Sequence, residues 1–157
     1  MREALVAGGL KGEEPERQIE ARIGRQKMLD DEDAPPFRGI LFEAVLRNAL
    51  GDLQAWRAQL EHLLEASERP DITLHVPPFG SGPHGLVNTD VMFLRLSDAR
   101  TVACAENDVR GELVEETSRT ERPHRTCDDV RDLALGPAKS RAFILRMLEE
   151  VPCERST

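Results

Sequence analysis

Proline sets the length of every piece from which this chain can fold. Ten of the 157 residues are Pro, and Pro35-Pro36, Pro70, Pro77-Pro78 and Gly136-Pro137 stand between runs of patterned hydrophobicity. Proline has no backbone N–H and pushes the residue before it out of helical geometry. Each of these sites therefore ends an element. No apolar run between them reaches the roughly 20 residues that span a bilayer. The chain has to be assembled from short helices and strands, and its length suits one domain with a real core.

Within these limits the hydrophobic periods are readable. Residues 1–12 form a loose leader, and residues 152–157 a tail, around one domain over 13–151. Ile19, Ile23, Met28 and Leu29 punctuate a charged stretch from Glu13 to Asp31, which predicts an amphipathic helix ending before Pro35. Phe37 to Glu43 reads as a mostly buried strand, followed by a turn over Asn48 to Gly51. Asp52 opens the clearest helix, to about Ser67, with Leu53, Trp56, Leu60, Leu63 and Leu64 on one face. Ile72, Leu74 and Val76 alternate with Thr73 and His75, the pattern of a half-buried strand. The Pro- and Gly-rich stretch Pro77 to Asn88 is a loop. Strands over Val91 to Leu96 and Thr101 to Glu106 flank a tight turn and make an antiparallel hairpin. A short edge strand over Glu112 to Val114 is compatible with the pattern. Two helices close the chain, one beginning near Pro123 and one at Pro137. The expected class is α+β: a small, mostly antiparallel sheet packed against helices, with a helical C-terminus.

Charge and composition exclude several function classes. Lys plus Arg number 21 and Asp plus Glu 29, a formal charge of −8. Phosphate backbones need a local excess of cations, so direct nucleic-acid binding is not expected. Aromatics are 4% with no Tyr, too few for base-stacking platforms. The N-terminus has no signal-peptide core, which points to the cytoplasm. Cys104, Cys127 and Cys153 are odd in number and lack C-x-x-C spacing, which argues against a disulfide framework. The four histidines have no ligand spacing to one another or to Cys, so neither a metal nor a cofactor is expected.

A few residues carry candidate chemistry. Glu43 and Glu106 each follow an apolar strand directly. A carboxyl at a sheet rim becomes a usable acid or base when burial raises its pKa. His75 and His84 are candidates to join them. The loop around Gly80 to Gly85 lacks both phosphate-loop templates, yet Gly/Pro loops beside sheets commonly grip partners or ligands. Cys104 sits in an apolar strand, where a thiol is more often inert than nucleophilic.

Four segments together suggest a family: RIGRQKML and Pro35-Pro36 (Arg22 to Pro36), FE-x-x-L (Phe42 to Leu46), QLEHLLEASERPDITLHVPPFGSGPHG (Gln59 to Gly85) and LALGPAKSRAFI (Leu133 to Ile144). In this order they resemble the domain of unknown function that follows Xre-type helix-turn-helix domains in actinobacterial, antitoxin-like transcriptional regulators. The resemblance runs from about Pro15 to Leu148. It implies an α+β regulatory domain with acids at Glu43 and Glu106 and a loop at Pro78, Phe79, Gly82 and His84. The helix-turn-helix itself is missing from this sequence. Where the family usually has Tyr before the later acid stands Cys104, and Val91 and Leu96 replace Phe. These changes suit either a larger pocket or a repacked core.

The expected function is a protein-binding module without DNA binding of its own. It would be an accessory or regulatory subunit, for example of a biosynthetic enzyme, in a hetero-complex or dimer. Phe79, Gly82, His84, His75 and Cys104 are its candidate partner- or ligand-binding residues, and a small-molecule ligand is compatible with the same loop. The alternative is a cofactor-independent enzyme of secondary metabolism, performing a cyclisation or rearrangement with Glu43 and Glu106 as acid–base catalysts. A third reading is a transcriptional effector domain served by a helix-turn-helix on a separate chain.

Overall fold

A computed structural model describes residues 17, 20, 23–24, 27–31, 34–49, 52–82, 90–106 and 111–152, and of Glu106 and Thr117 the backbone alone. The element order is β1 (Phe37–Ile40), α1 (Glu43–Arg47), α2 (Leu53–Ala66), β2 (Ile72–His75), β3 (Asp90–Arg95), β4 (Thr101–Glu106), β5 (Gly111–Val114), α3 (Thr117–Leu133) and α4 (Pro137–Glu150). The α+β class and helical C-terminus are as expected. The strands fall into two sheets: a parallel pair β1-β2 and an antiparallel sheet in the order β3-β4-β5. The leader, the tail after Pro152 and most of the first predicted helix lie outside the described residues. Of that helix, Arg17, Glu20, Ile23, Gly24 and Lys27 are helical and exposed.

The chain divides into two compact units. One holds the described residues up to Pro78 and from Leu135 onward, the other those from Phe79 to Ala134.

In the first unit, β1 and β2 run parallel because α1 and α2 form the crossover between them. The ladder is short for a chemical reason. Leu41 N donates to His75 O at 2.9 Å, but the next residue able to donate back would be Pro77, which has no N–H. The strand expected to run from Phe37 to Glu43 therefore stops at Ile40, and Glu43 begins α1. Gly39 fits because a Cβ there would meet Leu74 Cδ2 at 3.0 Å and the Phe37 ring at 3.1 Å. Asp52 caps α2 by accepting from Ala55 N at 2.6 Å. Trp56, Leu60 and Leu64 of α2 pack with Phe143, Ile144, Met147 and Leu148 of α4 over Ile72, Leu74 and Val76. These are the apolar faces read from the sequence, except that Leu53 stays 39% exposed.

Two polar clasps fix this unit. Ser140 is fully buried; its hydroxyl accepts from Val76 N at 2.9 Å and donates to Leu135 O at 2.8 Å. Leu135 N in turn donates to Val76 O at 2.9 Å. Leu135 lies past the end of α3 and bridges to the end of β2. Arg69 forks onto Asp71, reaches Asp30 Oδ1 at 3.2 Å and donates to the carbonyl of Leu29. The Arg69 guanidinium holds the Asp71 carboxyl below its ordinary range.

In the second unit, β3 and β4 pair in register from Asp90↔Glu106 to Arg95↔Thr101, and β5 adds to β4 from Glu106↔Gly111 to Ala103↔Val114. The hairpin and the edge strand follow the sequence pattern. Asp98 accepts from Arg100 N at 3.0 Å inside the turn, and Ala99 has the left-handed φ of 66°. Helix α3 begins at Thr117, not near Pro123, which lies in its second turn. Proline there removes one helical hydrogen bond. Packing against the sheet offsets this: the His124 ring meets Phe93 edge-on at 5.1 Å, Arg119 binds Glu112 at 2.7 Å, and Thr120 and Val130 are buried.

Three outcomes follow. Ser140→Ala leaves the buried Val76 N–H without its partner and should cost about 1–3 kcal/mol in urea unfolding; a loss too small to resolve would contradict the clasp. Ala99→Gly should raise stability by about 0.5–1 kcal/mol, because glycine adopts positive φ without strain. Asp71 has a depressed folded-state pKa, so its contribution is full above the unfolded value near 4 and fades as pH falls through the lower folded one. Asp71→Asn should accordingly lose less stability than the parent chain when urea midpoints are followed down in pH.

Candidate functional site

The first sequence-predicted group is Glu43. It occupies the first turn of α1, just past the end of β1, and its N–H donates to Pro77 O at 3.1 Å. The residue is 7% exposed. Arg47, one helical turn on, places Nε 2.5 Å from Glu43 Oε1 and Nη1 3.8 Å from Glu150 of α4. The carboxylate of Glu43 therefore sits in an ion pair with a half-exposed guanidinium. Removing Arg47 would leave an acid in a buried place, which is costly.

His75 ends β2 opposite Ile40, at the same end of the strand pair from which the chain continues to Glu43. Its Nδ1 lies 3.1 Å from Leu135 O. A carbonyl only accepts, so Nδ1 carries the proton and, in the neutral ring, Nε2 is the acceptor. Backbone topology thus brings Glu43 and His75 to the C-terminal end of a parallel pair. Both side chains already have structural partners there.

The remaining predicted residues belong to the second unit or lie outside the description. Phe79 follows Pro77-Pro78 and is 65% exposed. Gly80 and Gly82 take positive φ of 84° and 107°, a conformation that suits glycine. His84 lies outside the described residues, as does the side chain of Glu106. Among the described residues no group of His, Cys, Asp and Glu could hold a metal ion, and no helix is long and apolar enough to cross a membrane.

Cys104 is a half-buried free thiol in the central strand β4. Register gives its surroundings. Directly paired residues of an antiparallel sheet share a face. Met92, Cys104 and Leu113 form one row across the three strands, with Leu94 and Val102 beside it. Phe93, Ala103 and Val114 form a row on the opposite face, where Phe93 meets His124 of α3. The helix covers that second face. On the first face Val102 is buried at 5% exposure, and the residues around it are open. There Met92, Leu94 and Leu113 are 36%, 42% and 61% exposed. The sequence reading missed this surface. The signal was present in VMFLRL, where both members of the alternation are apolar, so that one set had to face away from the covering helix.

The outer face of α3 is different in kind. Ser118, Glu121, Arg122, Arg125, Thr126 and Asp129 line a shallow polar depression there. On the same helix Cys127 is half buried, and burial, with Asp128 beside it, pushes its thiol up from the ordinary range. A raised thiol is a poor nucleophile at neutral pH. Neither feature assembles a nucleophile with a base.

Comparison with known proteins returns one relation. No curated protein and no solved structure matches the chain. A family model for a domain of unknown function, DUF5753, matches residues 1–146. The match takes in β1 to β5, α1 to α3 and most of α4. The chain belongs to the DUF5753 family.

Proposed function

We propose that this chain is a protein-docking module that acts as an accessory or regulatory subunit and does not itself bind DNA. The observation that carries the reading is the open face of the β3-β4-β5 sheet, with Met92, Leu94 and Leu113 exposed beside Cys104. A sheet buries an apolar face against another layer. Contiguous exposed apolar patches on soluble domains mark interaction sites. The resemblance to the domain that follows Xre-type helix-turn-helix domains in actinobacterial regulators supports a regulatory role. The charge of −8 supports a protein partner over a nucleic acid. Glu43 supports the same choice, because its carboxylate already serves an ion pair with Arg47.

The test is co-purification of the tagged chain from its host, with Leu113→Glu and Leu94→Glu as paired variants. A partner held at fixed stoichiometry by the parent chain should be lost by both variants, with melting temperatures within about 2 °C of the parent, since exposed sites seldom govern stability. A partner retained by the variants would refute docking through this face. Turnover of a substrate by the chain, abolished in Glu43→Gln, would return the acid–base reading to first place.

A further inference from the structure

The docking reading leaves open what kind of element the sheet face takes, and its dimensions and rim bear on that. Three strands span two inter-strand spacings, about 10 Å, and six-residue β3 runs about 20 Å. One α-helix with its side chains is about 10–12 Å across, and four turns of it extend about 21 Å. The other face of the same sheet already accepts a helix, α3, through Phe93 and Ala103. A helix on the open face would complete a three-layer sandwich. Met92 suits such a contact, because an unbranched thioether adapts to the side chains laid against it.

The rim selects the charge of the occupant. Asp90 is exposed at the start of β3, and Glu115 and Glu116 are exposed just past the end of β5. In the turn, Arg100 Nε binds Asp98 at 2.7 Å, and Glu115 adds a second negative field at the same guanidinium. That cation is already engaged, and although Arg95 is also exposed at the end of β3, the described rim carries more acids than cations. A second copy of this chain would bring the same acids together, and an anionic membrane or a nucleic acid would be repelled.

We propose that the open face of the β3-β4-β5 sheet receives a cationic amphipathic helix of a partner protein, its apolar stripe on Met92, Leu94 and Leu113 and its flanking Lys and Arg toward Asp90 and Glu115. The inference rests on the docking reading above and adds the secondary structure and charge of the bound element.

Three labelled peptides of about 18 residues test it on the intact chain, by fluorescence anisotropy. All three carry leucine at helical i, i+3, i+4, i+7 spacing or its scramble. The first has Lys and Arg flanks, the second Glu flanks, the third the first composition scrambled. The cationic helix should bind at least tenfold more tightly than the other two. Leu113→Ser, which keeps every charge, should weaken it about tenfold, and Asp90→Asn with Glu115→Gln should weaken it and flatten its salt dependence. Equal binding of the cationic and acidic helices would overturn the charge selection and leave the docking reading standing. Undiminished binding by Leu113→Ser would overturn the site. Absence of peptide binding, with self-association of the chain that Leu113→Ser removes, would replace the helix by a second copy. If no peptide binds and the chain stays monomeric, the inference falls; the docking reading then stands or falls on the co-purification result alone.

Discussion

One buried hydroxyl holds the first unit together. Ser140 reinforces the single backbone bridge between two segments: it binds the end of β2 through Val76 N and the approach to α4 through Leu135 O. A hydroxyl has one proton to give and lone pairs to receive, and both capacities are used here away from water. The consequence is positional. With Ser140 fixed, Phe143, Ile144, Met147 and Leu148 follow on the same face of α4 and meet Trp56, Leu60 and Leu64 of α2. A two-stranded parallel sheet has too little surface to stand alone, and these two helices supply the burial it needs.

Proline and hydrophobic period made much of this legible beforehand. Alternation over Ile72 to Val76 marks a strand with one buried side, and those three apolar residues are buried. The i, i+4 pattern from Trp56 to Leu64 and the pattern from Phe143 to Leu148 mark the two helices that form the core. Where the reading erred, a non-local bond decided the matter. Nothing near Leu41 announces that Pro77 lies opposite and ends the ladder. Nothing near Leu135 announces a bridge to Val76. Pro123 looked like a helix start because proline favours a first turn, but contacts of His124 and Thr120 in the second unit extend the helix past it. The same limit holds for the site. Glu43 was legible as a special acid, but its ion pair with Arg47 depended on the chain turning into a helix at that point.

The second unit owes its proposed role to an asymmetry. Helix α3 covers one face of a sheet whose two faces are both apolar. In the covered row Ala103 is buried at 2% exposure, while in the open row Leu113 is 61% exposed. Small residues let a helix approach closely, and large flexible ones leave a surface that rewards a partner. The family relation carries no activity with it, so this asymmetry is the physical ground on which the docking account stands.

Cys104 offers the most direct test, because it is the thiol in the middle of that open row. Its alkylation rate, followed peptide by peptide with mass spectrometry, should fall at least tenfold when the native partner is bound. Cys127, whose thiol is pushed up from the ordinary range by burial and by Asp128, serves as the reference and should not change. An unchanged Cys104 rate in a complex of confirmed stoichiometry would contradict docking through the β3-β4-β5 face.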